Sequence, residues 1–107
     1  MPATEFAAEV LRDADEAVLL LAGDISGAAE AGLLEAYTAA GDAPVIVLDF
    51  GDVEYINSTG IALIVGLLAE ARKTGREVRA RGLAEHYREI FRITRLSDFM
   101  TILDEGR

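Results

Sequence analysis

The chain has 107 residues and no cysteine, with 19 acidic residues against 10 Lys and Arg, a formal charge of −9 and a pI near 4.4. That length holds one domain, residues 1–107, and excludes a cofactor domain joined to a substrate domain; the missing thiols exclude disulfides, thiolate zinc sites and a cysteine nucleophile; and the negative charge argues against neutralising the phosphates of a nucleic acid. Met1–Val10 lacks the basic and apolar regions of a secretion signal and the longest apolar run, Ile61–Ala69, is far short of the ~20 residues that span a bilayer, so a cytoplasmic protein without membrane insertion is expected.

Glu5–Leu11 and Ala17–Ala22 (AVLLLA) flank the acidic stretch Asp13–Glu16 and together suggest an N-terminal hairpin. Ser26 or Gly27 opens an Ala/Leu/Glu-rich helix to about Ala40, stopped by Gly41. Pro44–Phe50 (PVIVLDF) is continuously apolar and β-branched, as a central parallel strand buried on both faces requires, and it is expected to end at Asp49. The next helix begins after Asn57 and runs to about Thr74, with Gly75 closing it. Arg76–Arg81 (REVRAR) alternates as a strand, Leu83–Ile93 reads as a helix with Thr94–Leu96 as its exit, and Phe99–Leu103 as a last short strand or helix start. The order predicts an α/β fold: a mixed, mainly parallel β-sheet with an N-terminal hairpin and about four helices, wound by right-handed crossovers.

Charge is unevenly spread. Up to Asn57 there are 12 acidic residues against Arg12 alone, and from Ser58 onward 7 acidic against 9 basic. The acidic half either serves solubility or attracts a basic protein patch. The basic strip Arg72, Lys73, Arg76, Arg79 and Arg81 reads as a solvated helix end and strand edge, or as a site for an anionic partner or nucleotide.

The informative stretch is Asp52–Leu68, DVEYINSTGIALIVGLL, which sets the small polar cluster Asn57-Ser58-Thr59-Gly60 between the central strand and an unusually apolar helix. In open parallel sheets such strand ends and first helical turns form the functional edge. A phosphate on Ser58 would meet unpaired N–H groups at the positive end of the helix dipole; alternatively, Asn57 or Ser58 is simply the cap of the helix. On the helical wheel Ile61, Ile64, Leu67, Leu68 and Ala71 form a core stripe, while Ser58, Ala62, Val65 and Ala69, with Gly66 slightly off the line, form a second stripe of small residues. Charge, which a solvated face normally carries, is delayed to Glu70, Arg72 and Lys73. The second stripe is either a docking surface for another protein or a face packed inside the domain. Tyr55, beside the cluster in the expected strand-to-helix loop, is divided between core and interface; Phe91 and Phe99 read as core.

Catalysis has little to work with. His86 and Lys73 are the only residues of their kinds, both remote in sequence from Ser58, and His86 reads as a surface or helix-end residue. A small hydrolase is therefore a poor alternative, and with Gly51, Gly60, Gly66 and Gly75 isolated and no phosphate-cradling glycine motif, no cofactor is expected. A response-regulator receiver would need an acidic pair after its first strand and a lysine after its last, and neither occurs.

Along essentially its whole length the sequence resembles the anti-sigma factor antagonists, the single-domain members of the STAS (sulfate transporter and anti-sigma factor antagonist) group. The resemblance rests on Gly23-Asp24-Ile25, Val45-Ile46-Val47-Leu48-Asp49, the signature Tyr55-Ile56-Asn57-Ser58-Thr59-Gly60-Ile61, and Gly82-Leu83 followed by Ile90-Phe91. It implies a STAS fold, no enzymatic activity, and Ser58 as the residue phosphorylated by an anti-sigma factor that is also a serine kinase. The unphosphorylated form would bind that partner and release a sigma factor, phosphorylation would end binding, and a phosphatase would reset the switch. It also brings Asp24 to the edge that carries Ser58, adding to the sequence neighbours Asp49, Asp52 and Glu54. The family usually has aspartate before the serine; Asn57 keeps the capping geometry and loses the charge. Within the same group an accessory subunit of a lipid transporter, bound to an ATPase, and a stressosome scaffold protein are the rival readings.

Overall fold

The computed structural model describes residues 4–103; 1–3 and 104–107, the ends of the expected 1–107 domain, lie outside the described residues. Strand β1 (Ala7–Arg12) pairs antiparallel with β2 (Glu16–Ile25), from Ala7 opposite Ala22 to Arg12 opposite Ala17. In the turn between them Asp13 Oδ1 accepts the backbone N–H groups of Glu16 at 3.0 Å and Asp15 at 2.8 Å, and these donors hold its carboxyl below the ordinary carboxylate range. A 3-10 turn, Gly27–Ala29, leads into α1 (Glu30–Ala39); β3 (Val45–Ile56) follows, then α2 (Ser58–Lys73), β4 (Glu77–Arg81), α3 (Glu85–Ile93), a second 3-10 turn, Leu96–Asp98, and β5 (Thr101–Ile102). The sheet order is β1-β2-β3-β4-β5, with every pair after the hairpin parallel. Among the described residues three α-helices and two 3-10 turns stand where about four helices are expected, and Phe99–Leu103 resolves in favour of a strand, Thr101–Ile102.

Each parallel strand lies beside its predecessor, so right-handed crossovers carry the helices over one face of the sheet. The core follows that face: Ala17, Leu19 and Leu21 of β2, Ile46, Leu48 and Phe50 of β3, and Val78 and Ala80 of β4 alternate inward to meet Leu33 and Ala36, Ile64, Leu67 and Leu68, and Phe91 from the three helices. Burial of each large aliphatic or aromatic side chain contributes roughly 1.5–3 kcal/mol. Phe91 stands edge-on to Phe50 with centroids 6.0 Å apart, and the Ile56 N–H donates to the buried Tyr87 hydroxyl at 2.9 Å, tying the end of β3 to α3. On the opposite face of the sheet, at alternating positions, Arg79 pairs with Glu77 at 2.9 Å and Arg81 with Asp49 at 2.8 Å.

Three sequence expectations are corrected. The central strand does not end at Asp49 but runs seven residues further, to Ile56, because β3 spends one extra residue against β2 at each of two register shifts, between Leu20 and Ala22 and between Gly23 and Asp24. These bulges break the two-residue period, so exposed Asp52 and Glu54 look like loop residues although they lie within a strand. Ile61 is only half-buried, its place on the core face being filled by Gly60. Phe99 is 49% exposed, whereas Phe91 is fully buried.

Candidate functional site

β2 and β3 end side by side, with Asp24 opposite Tyr55 and Ile25 opposite Ile56, and the chain turns at Asn57 directly into α2. The turn is fastened by Asn57, whose N–H donates to the Ile25 carbonyl at 3.2 Å and whose Oδ1 accepts the Gly60 N–H at 2.8 Å. Asn57 is therefore the helix cap, extended at φ −94° and ψ −176°. Ser58 is left as the first helical residue, exposed, with no hydrogen-bond partner for its hydroxyl among the described residues. Its oxygen stands where the free N–H groups and the dipole of a 16-residue helix favour negative charge. Thr59 is also exposed, its methyl group beside Gly27 of the neighbouring 3-10 turn.

Gly60, Ile64, Leu67, Leu68 and Ala71 turn α2 toward the core. Ser58, Ala62, Val65, Gly66 and Ala69 lie on exposed surface, so this face is not sandwiched within the domain; Val65 is 45% exposed. A Cβ at Gly66 would meet nothing within 4 Å. Packing within the chain therefore does not require glycine there, although glycine in a helix interior costs roughly 0.5–1 kcal/mol relative to alanine.

Tyr55 is 54% exposed and belongs to β3 rather than to a loop. Beside it Asp24 is half-buried; its Oδ2 accepts the Thr4 N–H at 3.2 Å, while the Thr4 hydroxyl donates to Glu54 at 3.1 Å, so the incoming chain crosses between two of the acidic groups at this edge. Asp49 is not a neighbour of Ser58: the longer β3 separates it from the edge by roughly 20 Å, and Arg81 pairs with it. Of the basic strip, Arg76 donates to the Gly41 carbonyl and lies 5.2 Å from the Tyr37 ring centroid, Arg79 and Arg81 pair with Glu77 and Asp49, and Arg72 and Lys73 are exposed, with Arg72 5.3 Å from the Phe99 ring centroid. His86 is exposed on α3, its ring 4.9 Å from that of Tyr87 and on a different element from Ser58. Among the described residues no group of three or more His, Asp or Glu side chains could hold a metal ion, and no helix is long and apolar enough to cross a membrane.

The family model described as "Mlab, STAS domain" matches residues 9–104. The anti-sigma-B factor antagonist of Listeria monocytogenes is 30% identical over 93 residues, which cover 85% of this chain and 82% of that protein. The fold is shared with the anti-sigma factor antagonist SpoIIAA in its unphosphorylated form, at a TM-score of 0.72 and 17% identity over 95% of this chain and 90% of that one. The phosphorylated form of SpoIIAA from Bacillus superposes with a TM-score of 0.65 and 20% identity, covering 94% and 93% of the two chains. A mixed sheet with an N-terminal hairpin, a capped hydroxyl-bearing helix start after its central strand and a family match across nearly the whole chain agree: the chain belongs to the STAS-domain family of anti-sigma factor antagonists.

Proposed function

We propose that this protein binds an anti-sigma factor with serine kinase activity through the exposed face of α2, thereby releasing a sigma factor, and that phosphorylation of Ser58 by that partner ends the binding. The observation that carries the reading is the division of labour at the start of α2. Asn57 does the capping, which leaves the Ser58 hydroxyl exposed and unengaged at the head of a face without charge as far as Glu70. On this reading Asp24, Tyr55, Asn57 and Thr59 complete the partner-facing edge around Ser58, with Gly60 buried beneath as the seat of the helix, and Ala62, Val65, Gly66 and Ala69 extend the surface down the helix.

A phosphate adds about −1.5 to −2 charges and a large hydrated group to an edge that already carries Asp24, Asp52 and Glu54. A partner surface fitted to a small hydroxyl would have to desolvate that group or stand away from the ridge, so binding fails without any change of fold. A transporter ATPase or a stressosome partner could use the same face. The resemblance to an anti-sigma-B factor antagonist favours the anti-sigma factor.

The test is incubation with the serine-kinase-type anti-sigma factor from the same genome and ATP, read by intact mass. The wild-type chain gains one phosphate and Ser58→Ala gains none; a phosphate retained on Thr59 or Thr4 in the variant defeats the assignment.

A further inference from the structure

Phe99 presents nearly half of its surface to solvent, and so does Val65. Both line a cleft of about 190 Å³ between α2 and the 3-10 turn Leu96–Asp98, whose other walls are Leu68, Ala69, Leu96 and Arg72. We propose that this cleft is a second anchor of the docking surface and takes one aliphatic side chain of the anti-sigma factor, with a carboxylate of that partner beside it on Arg72. The inference rests on the reading of α2 as the docking face and adds where on the partner the grip is made.

Continuity supports it first, since Val65 and Ala69 belong both to the α2 ridge and to the cleft wall. Size fits next: a cleft of about 190 Å³ has room for a leucine or methionine side chain. Apart from Arg72 its lining is apolar, and an apolar pocket that a partner closes over one of its own side chains is where interfaces concentrate their binding energy. Arg72 supplies the polar half of the argument. Its guanidinium lies 5.3 Å from the centroid of the Phe99 ring, and among the described residues no carboxylate pairs with it. A stacked guanidinium at the rim of an apolar cleft offers its N–H groups to a carboxylate just outside. Ser58 and Arg72 are 14 residues apart on one helix, about 21 Å, so the acidic edge at one end and the arginine at the other also fix the direction in which a partner lies along α2.

Calorimetric titration of the purified serine-kinase-type anti-sigma factor with the wild-type chain and with Phe99→Ala, Phe99→Leu, Arg72→Glu and Ala62→Arg tests the proposal, with thermal unfolding of each variant alongside. Phe99→Ala and Arg72→Glu are expected to weaken binding by about tenfold or more, and Phe99→Leu, which keeps an apolar wall, by less than about threefold. Unfolding midpoints should stay close to wild type because both side chains are exposed. If Phe99→Ala loses its fold, Arg72→Glu carries the decision. Wild-type affinity in Phe99→Ala and Arg72→Glu, with binding lost in Ala62→Arg, overturns the cleft and leaves the α2 reading standing. Wild-type affinity in Ala62→Arg as well removes the α2 reading and the cleft with it.

Discussion

The carbonyl oxygen of Ile25 lies where position 60 would carry its first side-chain carbon: a Cβ on Gly60 would stand 1.9 Å from it. The same oxygen accepts the Asn57 N–H at 3.2 Å, so the end of β2 holds the start of α2 by a hydrogen bond and by direct backbone contact at once. Glycine in the Asn-Ser-Thr-Gly stretch is thus a steric requirement of the seat of the helix. Gly60→Ala is expected to destabilise the protein by about 3 kcal/mol or more, since the contact is with backbone that cannot rotate away. Urea denaturation measures it, and a loss below about 1 kcal/mol would mean that the two elements separate easily.

At Gly66 the expectation reverses. Nothing occupies the space a methyl group would take, so Gly66→Ala should raise stability by about 0.5–1 kcal/mol by restricting the unfolded chain and favouring the helix. Affinity for the anti-sigma factor should fall in the same variant, because the absence of a side chain there serves close approach by a partner. Higher stability with unchanged affinity would place Gly66 outside the interface.

Replacing Ser58 separates charge from hydroxyl. Ser58→Asp should weaken association by at least about 1.4 kcal/mol, tenfold in affinity, whereas Ser58→Ala should bind nearly as the wild type, because among the described residues the hydroxyl makes no bond that its loss would break. Equal affinities in calorimetry would reduce Ser58 to an ordinary first-turn residue.

Asn57 carries two separable tasks. Asn57→Ala leaves the Gly60 N–H without its acceptor and should cost about 1 kcal/mol of stability. Asn57→Asp keeps an acceptor in place and restores the charge usual in the family; it should fold normally and be phosphorylated faster at Ser58, as followed by the rate of phosphate mass gain. An unchanged rate would mean that the kinase does not sense charge at this position.

The helix limits are legible because their causes are local: Asn57 supplies the acceptor at one end, and Gly75, at φ +75°, supplies the left-handed residue at the other. The second half of β3 is not legible in the same way, since two bulges set against β2 move its inward positions from Phe50 to Val53 and Ile56, off the two-residue period that Asp52-Val53-Glu54-Tyr55 would suggest. The two phenylalanines make the same point. Phe91 is driven to the centre of the molecule by the strong amphipathic pattern of α3, while Phe99 follows a turn that begins at Arg95 in the left-handed region, φ 67°, and nothing local says which way its ring will face. Spacing and delayed charge mark out the small-residue stripe of α2 but leave open whether it is packed or exposed, and its continuation into the Phe99 cleft depends on how the chain returns after α3.

The strands stand in the sheet in the order in which they occur in the chain. Every strand pairing after the hairpin closes over one intervening α-helix, with a 3-10 turn added before α1 and after α3, and no strand has to leave a gap for one made later. During synthesis β2 can dock on β1, β3 on β2 and β4 on β3 as each emerges, so unpaired strand edge is confined at any moment to the outer side of β1 and the newest strand. Among the described residues the outermost strand on this side, β5, is only two residues long, and its two pairs, Arg79 with Thr101 and Ala80 with Ile102, offer little backbone for another chain to extend.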